Sequence, residues 1–376
     1  MPMKNALDFN TRYNRLEALN FIQRFATAYM FLETSADAAG NVCLPDIYGY
    51  CCGENPDCKK DEAAGIRCKF FFLFNTMCGN SALRCHFDGR LTEAQKLVGD
   101  TGTNCGDCGS DFTIDFLFGY AGYEYRKVTG DFKAEIIAAI DTRKPVIAKV
   151  KSGRPRFYLI NGYDGDALIC PDFIISDWNF QTDKSDEIGP DGPPTYDELD
   201  VLYIFGEKTA RRYTLIDGLY NIRRTMECNI NEHVLDGYLK QLSDDFIKAS
   251  RKERLACTQR LKETVVYLYN IVSFIGAFMT DNAGRTPHSH YLHQEIWALP
   301  AFAELVNRMN EQHWIILNAG HKVGGFHGKL KKATFTPWRI RGLSAEICEE
   351  IGKIKQADIE LLGFINQAIE ILSQKQ

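Results

Sequence analysis

Apolar and polar positions follow two different patterns along the chain, and the change falls near residue 214. Before it, segments with apolar residues at helical spacing alternate with segments in which they recur at every second position or in short runs. The helical spacing predicts a first amphipathic helix whose apolar face carries Leu16, Leu19, Ile22, Phe25, Tyr29 and Leu32. It also predicts a helix over 110–122, with Ser110 as the N-cap, and further helices over 78–89, 91–100 and 130–144.

The strand signals lie between residues 123 and 206. Alternating or short apolar runs predict strands over 123–128, 145–150, 157–162, 167–170 and 201–206. Between two of these strands, the run Gly162-Tyr163-Asp164-Gly165 is typical of a tight turn. The strands come in a hairpin-like succession, so we expect an antiparallel sheet.

After residue 214 the chain shows only helical spacing. The last stretch has apolar residues at steps of three and four, at Ile347, Ile351, Ile354, Leu361, Ile365, Ile369 and Leu372. The sequence therefore predicts an α+β fold in two parts. An N-terminal domain of helices and antiparallel sheet spans 1–214, and an all-helical C-terminal domain spans 215–376.

Composition places the chain among ordinary globular proteins. Its 376 residues are 45% hydrophobic and 25% charged, with a net charge of −5, which argues against a general nucleic-acid binder. No apolar run of 18 residues occurs, so no membrane span is expected. The amphipathic pattern near the start does not match a secretory signal. We therefore expect a cytoplasmic protein without a nucleic-acid or membrane partner.

Cysteines are numerous and unevenly spread. Ten of the 13 lie before residue 171, and the odd total argues for reduced thiols over a complete disulfide framework. Cys105 and Cys108 form a Cys-x-x-Cys pair near a loop that carries Cys43, Cys51, Cys52, Cys58 and Cys68. A structural zinc site is one interpretation, but a second such pair is missing. We expect no metal and no cofactor.

Cys78 is the best candidate for chemistry. The stretch Asn-Thr-Met-Cys-Gly at 75–79 indicates a thiol in the first turn of a helix, where the exposed N–H groups stabilise a thiolate and can hold an oxyanion. Gly79 then allows a substrate backbone to approach closely. Asn75 is the nearest side-chain amide.

The segments that follow Cys78 carry a resemblance to a known family. After a Cys-Gly pair come a Lys144-Pro145-Val146-Ile147 strand and the Gly162-Tyr163-Asp164 turn. This succession, over roughly residues 70–206, resembles the papain-like cysteine peptidases of the bacteriocin-processing type and the related acyltransferase of butirosin biosynthesis. The resemblance implies a papain-like N-terminal domain with Cys78 as the nucleophile.

At two positions the sequence departs from the family pattern that it resembles. Arg156, six residues before Gly162, occupies the place of the catalytic histidine, and Asp172, sixteen residues later, matches the aspartate that orients it. Phe72 stands where the family has its oxyanion glutamine, so Asn75 is the candidate substitute. A guanidinium attracts an anion but does not shuttle protons as an imidazole does. His86 would lie about 12 Å along the same predicted helix, too far to serve as the base, but one of the histidines after residue 287 remains an open alternative.

Two functions follow from these residues. The first is thiol-dependent acyl transfer or hydrolysis at Cys78, with Arg156, Asp172 and Asn75 around it. An acyl thioester would be a better substrate than an amide, because a thiolate leaves without a proton. The alternative is a catalytically inactive papain-like module that binds a peptide or a small carboxylate against Arg156.

Overall fold

The computed structural model of the chain describes residues 4–7, 15–16, 21–33, 35–36, 42–43, 74–82, 84, 110–151, 157–171, 174–175, 193–240, 304–305, 308–309, 311–312, 314–315, 318–319, 322 and 337–374. The chain divides into two compact units. The first comprises Met1–Phe74 and Gly106–Thr214, and the second comprises Asn75–Cys105 and Leu215–Gln376. The segment that carries Cys78 is thus grouped with the C-terminal helices, whereas the sequence analysis assigned it to the N-terminal domain.

The main sheet of the first unit has four antiparallel strands. They are β5 (Tyr123–Val128), β6 (Val146–Val150), β7 (Phe157–Ile160) and β11 (Leu199–Lys208), in the spatial order β5-β11-β6-β7. The long strand β11 pairs with both β5 and β6, so Leu202 lies opposite Val128 on one side and Ala148 on the other. Each strand overlaps a segment predicted from the apolar pattern, and the helices and antiparallel strands confirm the α+β class.

Three helices belong to this unit: α1 (Phe21–Glu33), α2 (Asp111–Ala121) and α3 (Phe132–Asp141). The predicted cap of α2 is confirmed, because the Ser110 side chain accepts a hydrogen bond from the backbone N–H of Thr113 at 3.1 Å. The helix ends at Gly122, whose φ of 78° is the left-handed conformation that glycine adopts without strain. The first helix begins later than predicted: Leu16 lies in the short strand β2 (Arg15–Leu16), and α1 starts at Phe21.

A second, three-stranded sheet changes one prediction. Its strands are β1 (Lys4–Ala6), β8 (Gly162–Asp164) and β9 (Ala167–Ile169), with β8 in the middle. The predicted turn at Gly162-Tyr163-Asp164 is therefore wrong, because these residues form a central strand and the turn lies at Gly165, where φ is 60°. Gly162 is needed for close approach, since a Cβ there would lie 2.6 Å from the carbonyl oxygen of Asn5 in β1.

The core of the first unit is largely aromatic. Phe25 of α1 lies edge-on to Phe118 of α2 at 4.9 Å between ring centroids and stacks on Phe205 of β11 at 5.3 Å. Phe118 in turn stacks on Tyr125 of β5 at 4.4 Å. These rings are carried by two helices and two strands, so their packing joins the helices to one face of the sheet.

The described elements of the second unit are helical. They include α4 (Leu215–Asn231), the helical residues 234–240, and α5 (Pro337–Ser373), which packs along α4. The predicted apolar stripe of α5 is confirmed: among its members, Ile347, Ile351, Ile354 and Ile365 are fully buried.

The remaining described elements are short. The first unit contains a parallel pair of β2 with β10 (Ile174–Ile175), an antiparallel pair of β3 (Ser35–Ala36) with β4 (Val42–Cys43), and a 3₁₀ helix at Tyr196–Glu198. The second contains a 3₁₀ helix at Asn80–Ala82. None of the helices in the described part of the chain is long and apolar enough to cross a membrane.

Candidate functional site

Cys78 lies after a helical turn, and it does not open a helix as the sequence analysis predicted. Residues 74–77 are helical, Cys78 and Gly79 form a turn, and a 3₁₀ helix follows at Asn80–Ala82. The reason is Gly79, whose φ of 86° ends the helical turn, while its N–H bonds to the carbonyl of Thr76 at 2.9 Å. The thiol therefore lies at the carbonyl end of that helical turn.

Gly79 also has a packing role that the sequence analysis did not predict. A Cβ at this position would lie 2.8 Å from both the carbonyl oxygen of Asn221 and the hydroxyl of Thr225 on α4. The glycine of the Cys-Gly pair thus allows the backbone to approach helix α4. In the sequence analysis the same residue was assigned to substrate approach.

The Cys78 side chain is completely buried, with 0% of its surface exposed. Its Sγ donates a hydrogen bond to the backbone carbonyl of Asn75 at 3.4 Å. A buried cysteine held in this way is typical of a structural residue, because a substrate does not reach its sulfur.

Asn75, the predicted oxyanion residue, is brought next to Cys78 but is already engaged. Its side chain is 3% exposed, and its Oδ1 accepts a hydrogen bond from Nδ2 of Asn80 at 2.6 Å. The amide therefore fixes the turn that contains Cys78. Of the four predicted site residues, Cys78 and Asn75 are described, and each makes a hydrogen bond that holds the turn.

Helix α4 holds the 75–84 segment through buried hydrogen bonds. Asn221 donates to the carbonyl of Met77 at 3.1 Å. Asn229 donates to the carbonyl of Ala82 at 2.6 Å and accepts from the backbone N–H of Arg84 at 3.2 Å. Each bond pairs a main-chain group that would otherwise be buried without a hydrogen-bond partner. The segment is therefore bound to α4 over two turns of the helix.

An ion pair fastens the end of the same segment to α5. The Arg84 guanidinium contacts the Asp358 carboxylate at 2.9 Å, and the two side chains are only 1% and 8% exposed. Burial raises the pKa of Asp358, while the adjacent Arg84 opposes that shift. Asp358 lies within the apolar stripe of α5, so a charged pair occupies a position where the helix otherwise buries isoleucine and leucine.

Arg156 and Asp172 lie outside the described residues, as do Phe72 and His86. Strand β7, which starts one residue after Arg156, belongs to the first unit, whereas Cys78 belongs to the second. The roles proposed for Arg156 and Asp172 therefore stay predictions. The zinc interpretation of the cysteine-rich loop also stays untested, because only Cys43 of its residues is described.

A buried arginine that the sequence analysis did not single out lies at the start of β7. Arg24 of α1 is 4% exposed, and its Nε donates to the carbonyl of Phe157 at 3.1 Å. Burial lowers the pKa of Arg24 to about 10, and the nearby Cys170 and Tyr158 partly offset that change. Burial also raises the pKa of the Cys170 thiol to about 12. The available signal was an arginine between Phe21 and Phe25 on the apolar face of α1.

No protein-family model matches this sequence, and no curated protein or solved structure is significantly similar to it. The papain-like resemblance therefore stays a prediction from the motifs alone. Within the described residues, no group of three or more His, Cys, Asp or Glu side chains is placed to hold a metal ion.

Proposed function

We propose that this chain is a ligand-binding protein in which Cys78 is a structural residue and not a nucleophile. The observation that carries the proposal is the complete burial of Cys78, with its thiol donating to the Asn75 carbonyl. A catalytic cysteine must be reached by substrate and must ionise, and its usual surroundings are electropositive and partly exposed. Cys78 is instead fully buried.

Moving the 75–84 segment away from α4 would break buried hydrogen bonds. The bonds from Asn221 to Met77 and from Asn229 to Ala82 are both buried. Each contributes about 1 kcal/mol net, and an unsatisfied buried carbonyl costs about 1–3 kcal/mol. A form in which this segment leaves α4 is therefore several kcal/mol above the closed one and thinly populated.

The family resemblance supports the same choice. If Arg156 occupies the histidine slot, no side chain there takes up and returns protons at neutral pH, because a guanidinium stays protonated. Amide hydrolysis needs that proton transfer. Of the two functions considered, the non-catalytic module for a peptide or a small carboxylate is the better supported.

Thiol labelling of the native chain tests the structural role of Cys78. We expect limiting iodoacetamide to modify Cys78 at least about tenfold more slowly than Cys348, because Cys348 is half-buried and is reached by smaller opening motions. Peptide mapping after labelling gives both rates in one sample. In denaturant the two cysteines should react alike, which controls for intrinsic reactivity. Faster labelling of Cys78 than of Cys348 would contradict the proposal.

Turnover measurements test the absence of thiol catalysis directly. Wild type and Cys78→Ala should hydrolyse a simple acyl thioester at the same background rate. Hydrogen exchange of α4 peptides checks that the variant keeps its fold. Thioester hydrolysis by the wild type that disappears in a folded Cys78→Ala protein would overturn the proposal and restore the acyl-transfer function.

A further inference from the structure

A groove in the first unit lies between helix α3 and the outer part of the main sheet. It has a volume of about 550 Å³, which is in the range of small-ligand sites. Helix α3 packs against β6, β8 and β11, and the groove opens where this helix gives way to β5. The helix side is formed by Ala138, Ala139 and Thr142, whose short side chains leave the space empty.

The floor of the groove is apolar and the rim is charged. Ile204 of β11 forms part of the floor together with the two alanines of α3. At the rim, Lys144 pairs with Glu207 at 2.6 Å, and Arg126 pairs with Glu135. Both rim cations therefore already have a carboxylate partner.

Glu124 is the lining acid that remains. It is exposed on β5, and among the described residues no cation forms an ion pair with it. Side chains alternate along a strand, and Tyr125 stacks on Phe118 on the opposite face of the sheet, so Glu124 and Arg126 share the groove face. A groove with an apolar floor and an uncompensated carboxylate is complementary to a cationic group on an apolar stem.

Strand β5 adds a second element of recognition. It is an outer strand of the four-stranded order, and in the part of the chain that the structure describes only β11 pairs with it. An edge of this kind offers main-chain N–H and C=O groups to an extended peptide, which then places every second side chain over one face of the sheet. The groove lies on the face that Glu124 and Arg126 share.

We propose that this groove binds an extended peptide segment through a lysine or arginine side chain, whose stem lies on Ile204 and Ala139 and whose charge meets Glu124. The inference rests on the binding function proposed above, and it replaces a carboxylate ligand with a basic peptide. A free polyamine carries the same ammonium chemistry, so the experiment below separates the two sources.

The test uses the full chain and two synthetic seven-residue peptides. Both alternate threonine and valine, and they differ only at the central position, which is lysine in one and norleucine in the other. We expect the lysine peptide to bind about fivefold more tightly at low salt, which is the size of one partly exposed ion pair, with the preference shrinking at high salt. Glu124→Gln should abolish the preference, whereas Glu227→Gln, on α4 in the second unit, should retain it.

Hydrogen exchange and competition identify the source of the ammonium group. Peptide binding should slow exchange over Tyr123–Val128, and spermidine should compete only weakly. Spermidine that binds as tightly as the peptide, without protecting β5, would overturn the peptide assignment. Equal binding of the two peptides, no binding of either, or an unchanged preference in Glu124→Gln would overturn the site itself. Cys78-dependent thioester turnover would instead overturn the proposed function and leave the groove result standing.

Discussion

The main sheet of the first unit and the 75–84 segment of the second are held by different kinds of contact. In the first unit, aromatic rings of α1, α2, β5 and β11 pack on one another, and no single pair determines the arrangement. In the second unit, the 75–84 segment is held by directed bonds from Asn221 and Asn229 and by the Arg84–Asp358 ion pair. Apolar packing tolerates exchange of one side chain for another of similar volume, but a buried polar contact fails when either partner is lost. The sheet of the first unit should therefore respond to lost volume and the 75–84 segment to lost partners.

Removing a central ring should give the largest loss. Phe118 is fully buried, with ring neighbours at 4.9, 4.4 and 4.6 Å. We expect Phe118→Ala to lower the free energy of unfolding of the first unit by about 4 kcal/mol. Phe112→Ala on the same helix, where the ring is 37% exposed, should cost well under half of that. Hydrogen exchange of α2 and β11 peptides in urea measures both, and equal losses would remove the distinction between core and surface rings.

The buried ion pair should behave differently from a ring. Arg84→Met leaves the Asp358 carboxylate buried without its partner and should cost the second unit about 3 kcal/mol. Adding Asp358→Val should recover much of that loss, because an apolar pair replaces two desolvated charges. Hydrogen exchange of α4 peptides measures the free energy of unfolding of the wild type, of Arg84→Met and of the double variant. If the double variant at Arg84 and Asp358 is less stable than Arg84→Met alone, the recovery is absent and the ion pair is favourable in itself.

An exposed ion pair provides the matched control. Lys127 and Asp111 lie at 2.7 Å but are 41% and 77% exposed, so Lys127→Met should cost under about 1 kcal/mol.

Two glycines of the second unit should respond to alanine with opposite signs. Gly79→Ala places a Cβ 2.8 Å from the Asn221 carbonyl oxygen at a φ of 86°, and should cost about 2 kcal/mol. Gly237→Ala, in the helical residues 234–240, meets no described residue beyond its own helix within 4 Å of the new Cβ and should stabilise by up to about 1 kcal/mol. Losses of similar size at both positions would contradict the packing role of Gly79.

The smallest effect concerns a surface contact of the first unit. Hydrogen bonds from Asn5 and Tyr163 hold the pKa of Asp141 below its usual value of 3.8. A depressed carboxyl pKa adds stability above the unfolded value, and the gain is lost as pH falls through the folded one. The stability advantage of wild type over Asp141→Asn should therefore shrink as pH falls from about 5 to about 2. A constant difference over that range would exclude a contribution from Asp141 ionisation.

The sequence predicted well those elements that depend on local pattern. The alternation in 123–128 matches β5 residue for residue, and Ser110 caps α2 as its position before an apolar helical face indicates. Strand β11 extends the predicted 201–206 at both ends, because pairing with two neighbours stabilises residues beyond the apolar run.

Contacts between distant parts of the chain were harder to predict. Gly162 suggested a turn, but it pairs with Ala6, over 150 residues earlier, on one side and with Ile169 on the other, and these two pairings place it in a central strand. Cys78 suggested a helix start. The local spacing does not reveal that Asn221 and Asn229 form hydrogen bonds with this segment. One signal was available: an aspartate at 358 in a stripe of isoleucine and leucine indicates a buried cationic partner, although not which one.

The order of synthesis gives the Arg84–Asp358 contact a further meaning. Arg84 precedes its partner by 274 residues, and at about 5–20 residues per second the ribosome needs on the order of tens of seconds to make that stretch. For about the first half of that time the nascent 75–84 segment exists without α4 to bind it, and for all of it without the Asp358 carboxylate of α5. The segment with its buried cysteine is thus among the last parts to reach its native position. Until then, we expect its apolar residues to be open to chaperones and proteases.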